Sequence, residues 1–190
     1  MAALTASCID LNIQGNGAYS VLKQLATIAL QNGFITDSHQ FLQTLLLREK
    51  MHSTGFGSGV AVPHGKSACV KQPFVLFARK AQAIDWKASD GEDVNCWICL
   101  GVPQSGEEDQ VKIIGTLCRK IIHKEFIHQL QQGDTDQVLA LLNQNPQLIR
   151  KWRWSHPYVL SRSPTAPPGS LTPTWWRKPW NRKPVLSVIP

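Results

Sequence analysis

An α/β fold, a sheet covered by helices, is predicted by the order of hydrophobic periods along this 190-residue chain. Helical spacing occupies the first fifty residues. Two runs rich in Val, Phe, Ile, Trp and Leu follow, and helical spacing returns from Gln110.

After a short apolar start around residues 9–13, Val21, Leu22, Leu25, Ala26, Ile28 and Ala29 recur at helical spacing, and Gly33 is a helix stop. A second helix opens at Asp37 or Ser38, where Gln40 stands three residues after Asp37 as in a capping box, and carries Phe41, Leu42, Leu45 and Leu46 to about Met51. Residues 53–65 then hold four glycines and Pro63, so the backbone there is a turn-rich connection around a short strand. Residues 73–79 and 94–102 read as strands separated by an Asp90-Gly91 turn signal. From Gln110 the spacing of Val111, Ile113, Ile114, Leu117, Ile121 and Ile122 predicts a helix. Further helices follow over 126–130 and, past Gly133-Asp134, over 138–142.

Composition divides the chain near Arg150. Residues 1–150 hold 13 Lys and Arg against all 13 Asp and Glu, so the net charge of +7 lies in the last 40 residues. That segment also carries 8 of the 12 prolines and 5 of the 7 tryptophans. A single domain over 1–148 with an irregular, disordered, basic tail over 149–190 is therefore expected. The run Trp175-Trp176-Arg177-Lys178-Pro179-Trp180 has the residue types of a nucleic-acid or anionic-membrane binder. A linker remnant or an out-of-frame C-terminus fits the same composition.

No residue before Lys23 is basic and no apolar run reaches 18 residues, so a cytoplasmic chain is expected. The five cysteines are odd in number and irregularly spaced, which fits reduced thiols. Cys96-Trp-Ile-Cys99 has redox and zinc spacing, but in a strand residues three apart point to opposite faces. With no second ligand pair at comparable spacing, the cysteines are assigned to packing and no metal is expected. His39 and His52 read as helix-surface residues.

The sharpest local feature is His64 in Val60-Ala-Val-Pro-His-Gly65, with Gly55, Gly57 and Gly59 upstream and Arg48 ending the preceding helix. An imidazole can act as nucleophile, base or ligand, and nearby glycines let backbone N–H groups approach an anion. Spacing alone equally fits a Gly-rich turn with an incidental histidine. Neither familiar phosphate motif applies: a P-loop ending at Gly65-Lys66-Ser67 and a dinucleotide fingerprint starting at Gly55 both require glycine where Val60 stands.

Arg48-Glu49, Ser53-Thr54-Gly55-Phe56-Gly57, Gly59-Val60-Ala61-Val62-Pro63-His64-Gly65, Ile84-Asp85-Trp86, Asp90-Gly91 and Val102-Pro103 occur in one order. Together they closely resemble the mannitol/fructose class of enzyme IIA domains of the bacterial phosphoenolpyruvate-dependent sugar phosphotransferase system, over about residues 4–144. The resemblance implies a three-layer α/β/α sandwich with a mixed central sheet and a cytoplasmic phosphotransferase component. It implies that His64 takes a phosphoryl group from phospho-HPr and passes it to a cysteine of enzyme IIB. A fructose- or mannitol-like sugar is then phosphorylated during import through a membrane enzyme IIC, with no metal, nucleotide or other cofactor. Arg48 would face the phosphoryl oxygens, with the loop of Thr54, Gly55, Gly57, Gly59 and Gly65 supplying backbone N–H groups; a helix-terminal cation is the plain alternative for Arg48.

Many members carry a second active-site histidine where Gln110 aligns here. Gln110 can donate a hydrogen bond but cannot carry a proton, and His123 is the nearest histidine downstream. Phe56 and Val62 are expected to present apolar surface around His64. Nucleic acid is not an expected partner of the body. The alternatives are a regulatory phosphohistidine protein of the same fold, and a degenerate domain whose basic tail binds nucleic acid or membrane.

Overall fold

A computed structural model describes residues 4–105, 112, 115–116 and 118–144. A 3-10 turn at Ala6–Cys8 leads into β1 (Ile9–Asp10), followed by helices α1 (Ala18–Gln31) and α2 (Ser38–Met51). The glycine-rich region forms three short strands rather than one: β2 (Gly55–Gly57), β3 (Val60–Ala61) and β4 (His64–Ser67). Two long strands, β5 (Phe74–Ile84) and β6 (Val94–Pro103), precede α3 (Lys124–Gln132) and α4 (Thr135–Asn143). Residues 112, 115–116 and 118–121 are helical, within the stretch where helical spacing predicts it. Gln110 and the 149–190 tail lie outside the described residues.

The helix ends follow from local chemistry. Asp37 Oδ1 accepts the Gln40 N–H at 3.0 Å, satisfying one of the orphan donors at the start of α2. At α4 the box is reciprocal: Gln137 N–H donates to Asp134 and Asp134 N–H to the Gln137 side chain. Gly33 closes α1, with the Gly33 and Phe34 N–H groups on the Leu30 and Ala29 carbonyls.

The sheet runs β1-β5-β6-β3-β2, with β4 also paired to β6. It is mixed: β5 and β6 are antiparallel, while β1 is parallel to β5 and β3 and β4 are parallel to β6. Register assigns the faces. Phe74, Leu76 and Ala78 lie opposite Gly101, Cys99 and Trp97 on one face, and Val75, Phe77 and Arg79 opposite Leu100, Ile98 and Cys96 on the other. The Phe74 ring stacks on Phe34 at 5.1 Å and meets Phe41 of α2 edge-on at 5.4 Å, so α2 covers the first face. Arg79 donates to the Leu130 and Gly133 carbonyls, both at 2.8 Å, so α3 covers the second. Helices on both sides of a mixed sheet make the three layers.

Both central strands are buried, including Trp97, Ile98, Cys99, Leu76 and Phe77. Cys96 and Cys99 are therefore core residues, and burial pushes the Cys96 thiol up to about 12 and raises that of Cys99 too. A protonated thiol of this kind is a poor nucleophile and a poor ligand.

Gly101 lies beneath the Phe74 ring, and an added Cβ would come within 2.1 Å of it. Gly101→Ala would push that ring off both Phe34 and Phe41, so we expect a loss of about 1–3 kcal/mol, the usual cost of overpacking a tight core. Urea unfolding measures it; an unchanged midpoint would show that the ring has room to move.

Candidate functional site

The last turn of α2 supplies two neighbouring charged residues, and they serve different strands. Arg48 reaches β4, where its Nε–H donates to Nε2 of His64 at 2.9 Å while Nη1 donates to the His52 carbonyl at 2.7 Å. Glu49 reaches the start of β2: Oε1 accepts the Thr54 N–H at 2.8 Å and Oε2 accepts the Thr54 hydroxyl. The plain reading of Arg48 as a cation on its own helix's last carbonyls thus covers only half of its contacts.

His64 is half-buried. Its Nδ1 lies 2.8 Å from the Val62 carbonyl, an acceptor only, so Nδ1 carries the proton; Nε2, facing an N–H donor, holds the lone pair. The neutral Nδ1–H tautomer satisfies both contacts. Burial holds the imidazole below its ordinary pKa of 6.5, the Val62 carbonyl pulls the other way, Arg48 adds to the lowering and Glu49 opposes it. The ring is consequently neutral at neutral pH.

That depression carries a sign for stability. The unfolded chain binds the proton first, near 6.5, so this contribution is complete above that pH and is lost as pH falls through the lower folded value. In urea titrations the wild-type midpoint should fall from about pH 7 to pH 5 more than that of His64→Ala. Parallel slopes for the two proteins would contradict the depressed value.

Gly57 and Gly59 stand apart from the imidazole. Val60 pairs with Cys96 and His64 with Leu100 along the same strand, which puts the hairpin tip at Gly57–Gly59 roughly 13 Å or more from His64 at about 3.3 Å per residue. Gly57 and Gly59 there adopt φ of 117° and 77°, and Asp90 holds the turn by accepting the Ser58 N–H at 2.8 Å. Gly55 is a close approach: its Cβ would lie 2.6 Å from that of Ala88. Gly65 packs on α2 beside Thr44, and the N–H groups of Thr54 and Gly55 are taken by Glu49 and Ser53. Among the described candidates, the Arg48 side chain is the one hydrogen-bonded to His64.

The remaining candidates are separated. Val62 is buried, whereas Phe56 is 37% exposed. His39, His52, His123 and His128 are exposed, with His123 at the N-cap of α3. Among the described residues no group of three His, Cys, Asp or Glu is placed to hold a metal, and no helix is long and apolar enough to cross a membrane. Two partners had no role from the sequence. Glu49 is one and Trp86 the other, its indole N–H donating to Thr54 Oγ1 at 3.3 Å. Both stand in the runs that carry the resemblance, and that was the only signal for them.

Residues 2–145 match the sequence model of the family described as "Phosphoenolpyruvate-dependent sugar phosphotransferase system, EIIA 2". The chain belongs to this family, a component of a phosphotransferase system. It is 33% identical over 115 residues to the "PTS system fructose-specific EIIA component" of Haloferax volcanii, covering 60% of this chain and 75% of that protein. To the "PTS system fructose-specific EIIABC component" of Bacillus subtilis it is 26% identical over 143 residues, covering 75% of this chain but 22% of that one. The crystal structure of "Nitrogen Regulatory Protein IIA-Ntr" from Neisseria meningitidis superposes with a TM-score of 0.69 at 27% identity, covering 74% of this chain and 96% of that one.

Proposed function

We propose that this chain is a cytoplasmic phosphocarrier in which Nε2 of His64 accepts a phosphoryl group from phospho-HPr. The group then passes to a cysteine of enzyme IIB, for uptake of a fructose- or mannitol-like sugar through enzyme IIC. The observation carrying this reading is the neutral imidazole, its Nδ1–H held by Val62 and its Nε2 lone pair against a guanidinium. The lone pair attacks phosphorus, the donor's N–P bond breaks and its electron pair returns to the donor imidazole; the second transfer repeats this with a thiolate as nucleophile. Nothing is oxidised and no metal or nucleotide takes part.

In the resting protein Arg48 occupies the lone pair that must attack, so Arg48 swings from Nε2 onto the phosphoryl oxygens as the donor arrives, with Nη1 still on the His52 carbonyl. Gln110, aligned with the second histidine of many members, donates its amide to a phosphoryl oxygen. Residues 1–148 form the working unit and 149–190 are dispensable. Transfer from the phosphorylated chain to a purified IIB domain tests the transport reading; retention of activity on removal of residues 151–190 tests the boundary.

A second reading is favoured by the likeness to the Neisseria nitrogen regulatory protein. On it the same phosphohistidine reports metabolic state to another protein. Phosphorylation by HPr with no transfer to any IIB domain supports regulation.

A further inference from the structure

We propose that Glu49 is a positioning residue for the His64 nucleophile, holding the imidazole in its Nδ1–H tautomer through Thr54 and the Val62 carbonyl. The inference rests on the phosphocarrier reading above. It follows a relay of hydrogen bonds joined through the backbones of Thr54 and Val62. Glu49 takes both the N–H and the hydroxyl of Thr54, the Thr54 carbonyl accepts the Val62 N–H at 3.0 Å, and the Val62 carbonyl accepts the His64 Nδ1–H at 2.8 Å.

The links are braced. Thr54 is 8% exposed and its hydroxyl also receives the indole N–H of Trp86, itself buried against Trp97 at 5.6 Å. The Ser53 hydroxyl donates to the Trp86 carbonyl, so the segment that Glu49 grips is fixed to the β5–β6 connection as well. A bidentate carboxylate on one residue's N–H and O–H leaves that residue little rotational freedom. The Thr54 carbonyl holds the Val62 N–H, and Pro63 restricts the backbone on the other side of Val62, so anchoring Val62 at both ends orients its carbonyl, the acceptor that selects which ring nitrogen keeps the proton.

Arg48 and Glu49 therefore divide the work. Arg48 meets the reacting nitrogen, while Glu49 acts on the other nitrogen without touching it. Pro63 contributes in between, since a residue with fixed φ passes the Val62 orientation to His64 with little slack.

The test uses the full chain labelled with ¹⁵N at histidine, at a pH where the ring is neutral, reading the tautomer ratio of His64 from its two ring nitrogen shifts. Wild type should show Nδ1–H almost alone. Glu49→Ala and Thr54→Val should each raise the Nε2–H share several-fold, and Glu49→Gln, which keeps an acceptor for the Thr54 N–H, should return the ratio most of the way to wild type. Leu142→Ala, a core truncation in α4, should lower stability and leave the ratio alone. Phosphoryl acceptance from phospho-HPr should fall in parallel with the Nδ1–H share.

A wild-type ratio in both folded Glu49→Ala and folded Thr54→Val overturns the proposal; if Glu49→Ala does not fold, Thr54→Val decides. Wild-type chain that takes no phosphate, with the tautomer shifts as described, instead overturns the phosphocarrier reading and leaves the positioning role standing.

Discussion

His64→Ala is expected to take up no acid-labile phosphate from phospho-HPr, while its fold is retained. The loss is complete because the replacement removes the bond-forming atom, not a contributor to its environment. The other described histidines do not substitute: His39, His52, His123 and His128 are exposed, whereas His64 is half-buried between the Val62 carbonyl and the Arg48 guanidinium. His64→Gln should be as inactive, although its amide can keep a contact with Arg48. Incubation with phosphoenolpyruvate, enzyme I and HPr followed by intact-mass measurement reads both variants. Residual phosphate at the wild-type level would move the acceptor elsewhere.

Arg48→Ala should slow acceptance about 10²–10³-fold, the usual cost of removing one preorganised donor from a developing oxyanion. Its second effect has a definite sign. Arg48 is one of the groups lowering the His64 pKa, so its removal raises that pKa and moves the acid limb of the pH–rate profile upward. Wild type should be flat through neutral pH and fall only below 6.5, where the ring gains a proton. Arg48→Lys keeps a charge but not the pair of donors that span Nε2 and the His52 carbonyl, so it should recover part of the rate. A variant with full rate and an unmoved acid limb would mean that Arg48 only caps its helix.

Much of this arrangement is legible in the sequence, for identifiable reasons. The helices α1 and α2 carry their own period and the long strands β5 and β6 an apolar, β-prone composition, so the sequence places all four, although β5 runs on to Ile84, five residues beyond the expected 73–79. The three short strands over 55–67 have no period of their own. Two of them, β3 and β4, pair with β6, and β2 pairs with β3, so a two-residue strand in register with Cys96 and Trp97 is specified by its partner. Local pattern therefore yields one strand in a turn-rich loop where pairing makes three.

The site shows the same division. His64 and Arg48 stand 16 residues apart, and only the resemblance pairs them before the fold does. Three glycines close upstream suggest an anion cradle, yet Gly57 and Gly59 turn a distant hairpin tip and Gly55 makes room for Ala88. Val62, expected at the surface, is buried in the connection between β3 and β4, where its carbonyl faces His64 Nδ1. Glu49 stands in the resemblance with no role of its own, and the fold puts the Thr54 N–H and hydroxyl on its two oxygens.

The most direct test is to phosphorylate the wild-type chain with phosphoenolpyruvate, enzyme I and HPr and to map the acid-labile phosphate by peptide mass under alkaline conditions. One phosphoryl group is expected, on His64. Phosphate on another residue with His64 unmodified, or none at all on folded protein, would contradict it.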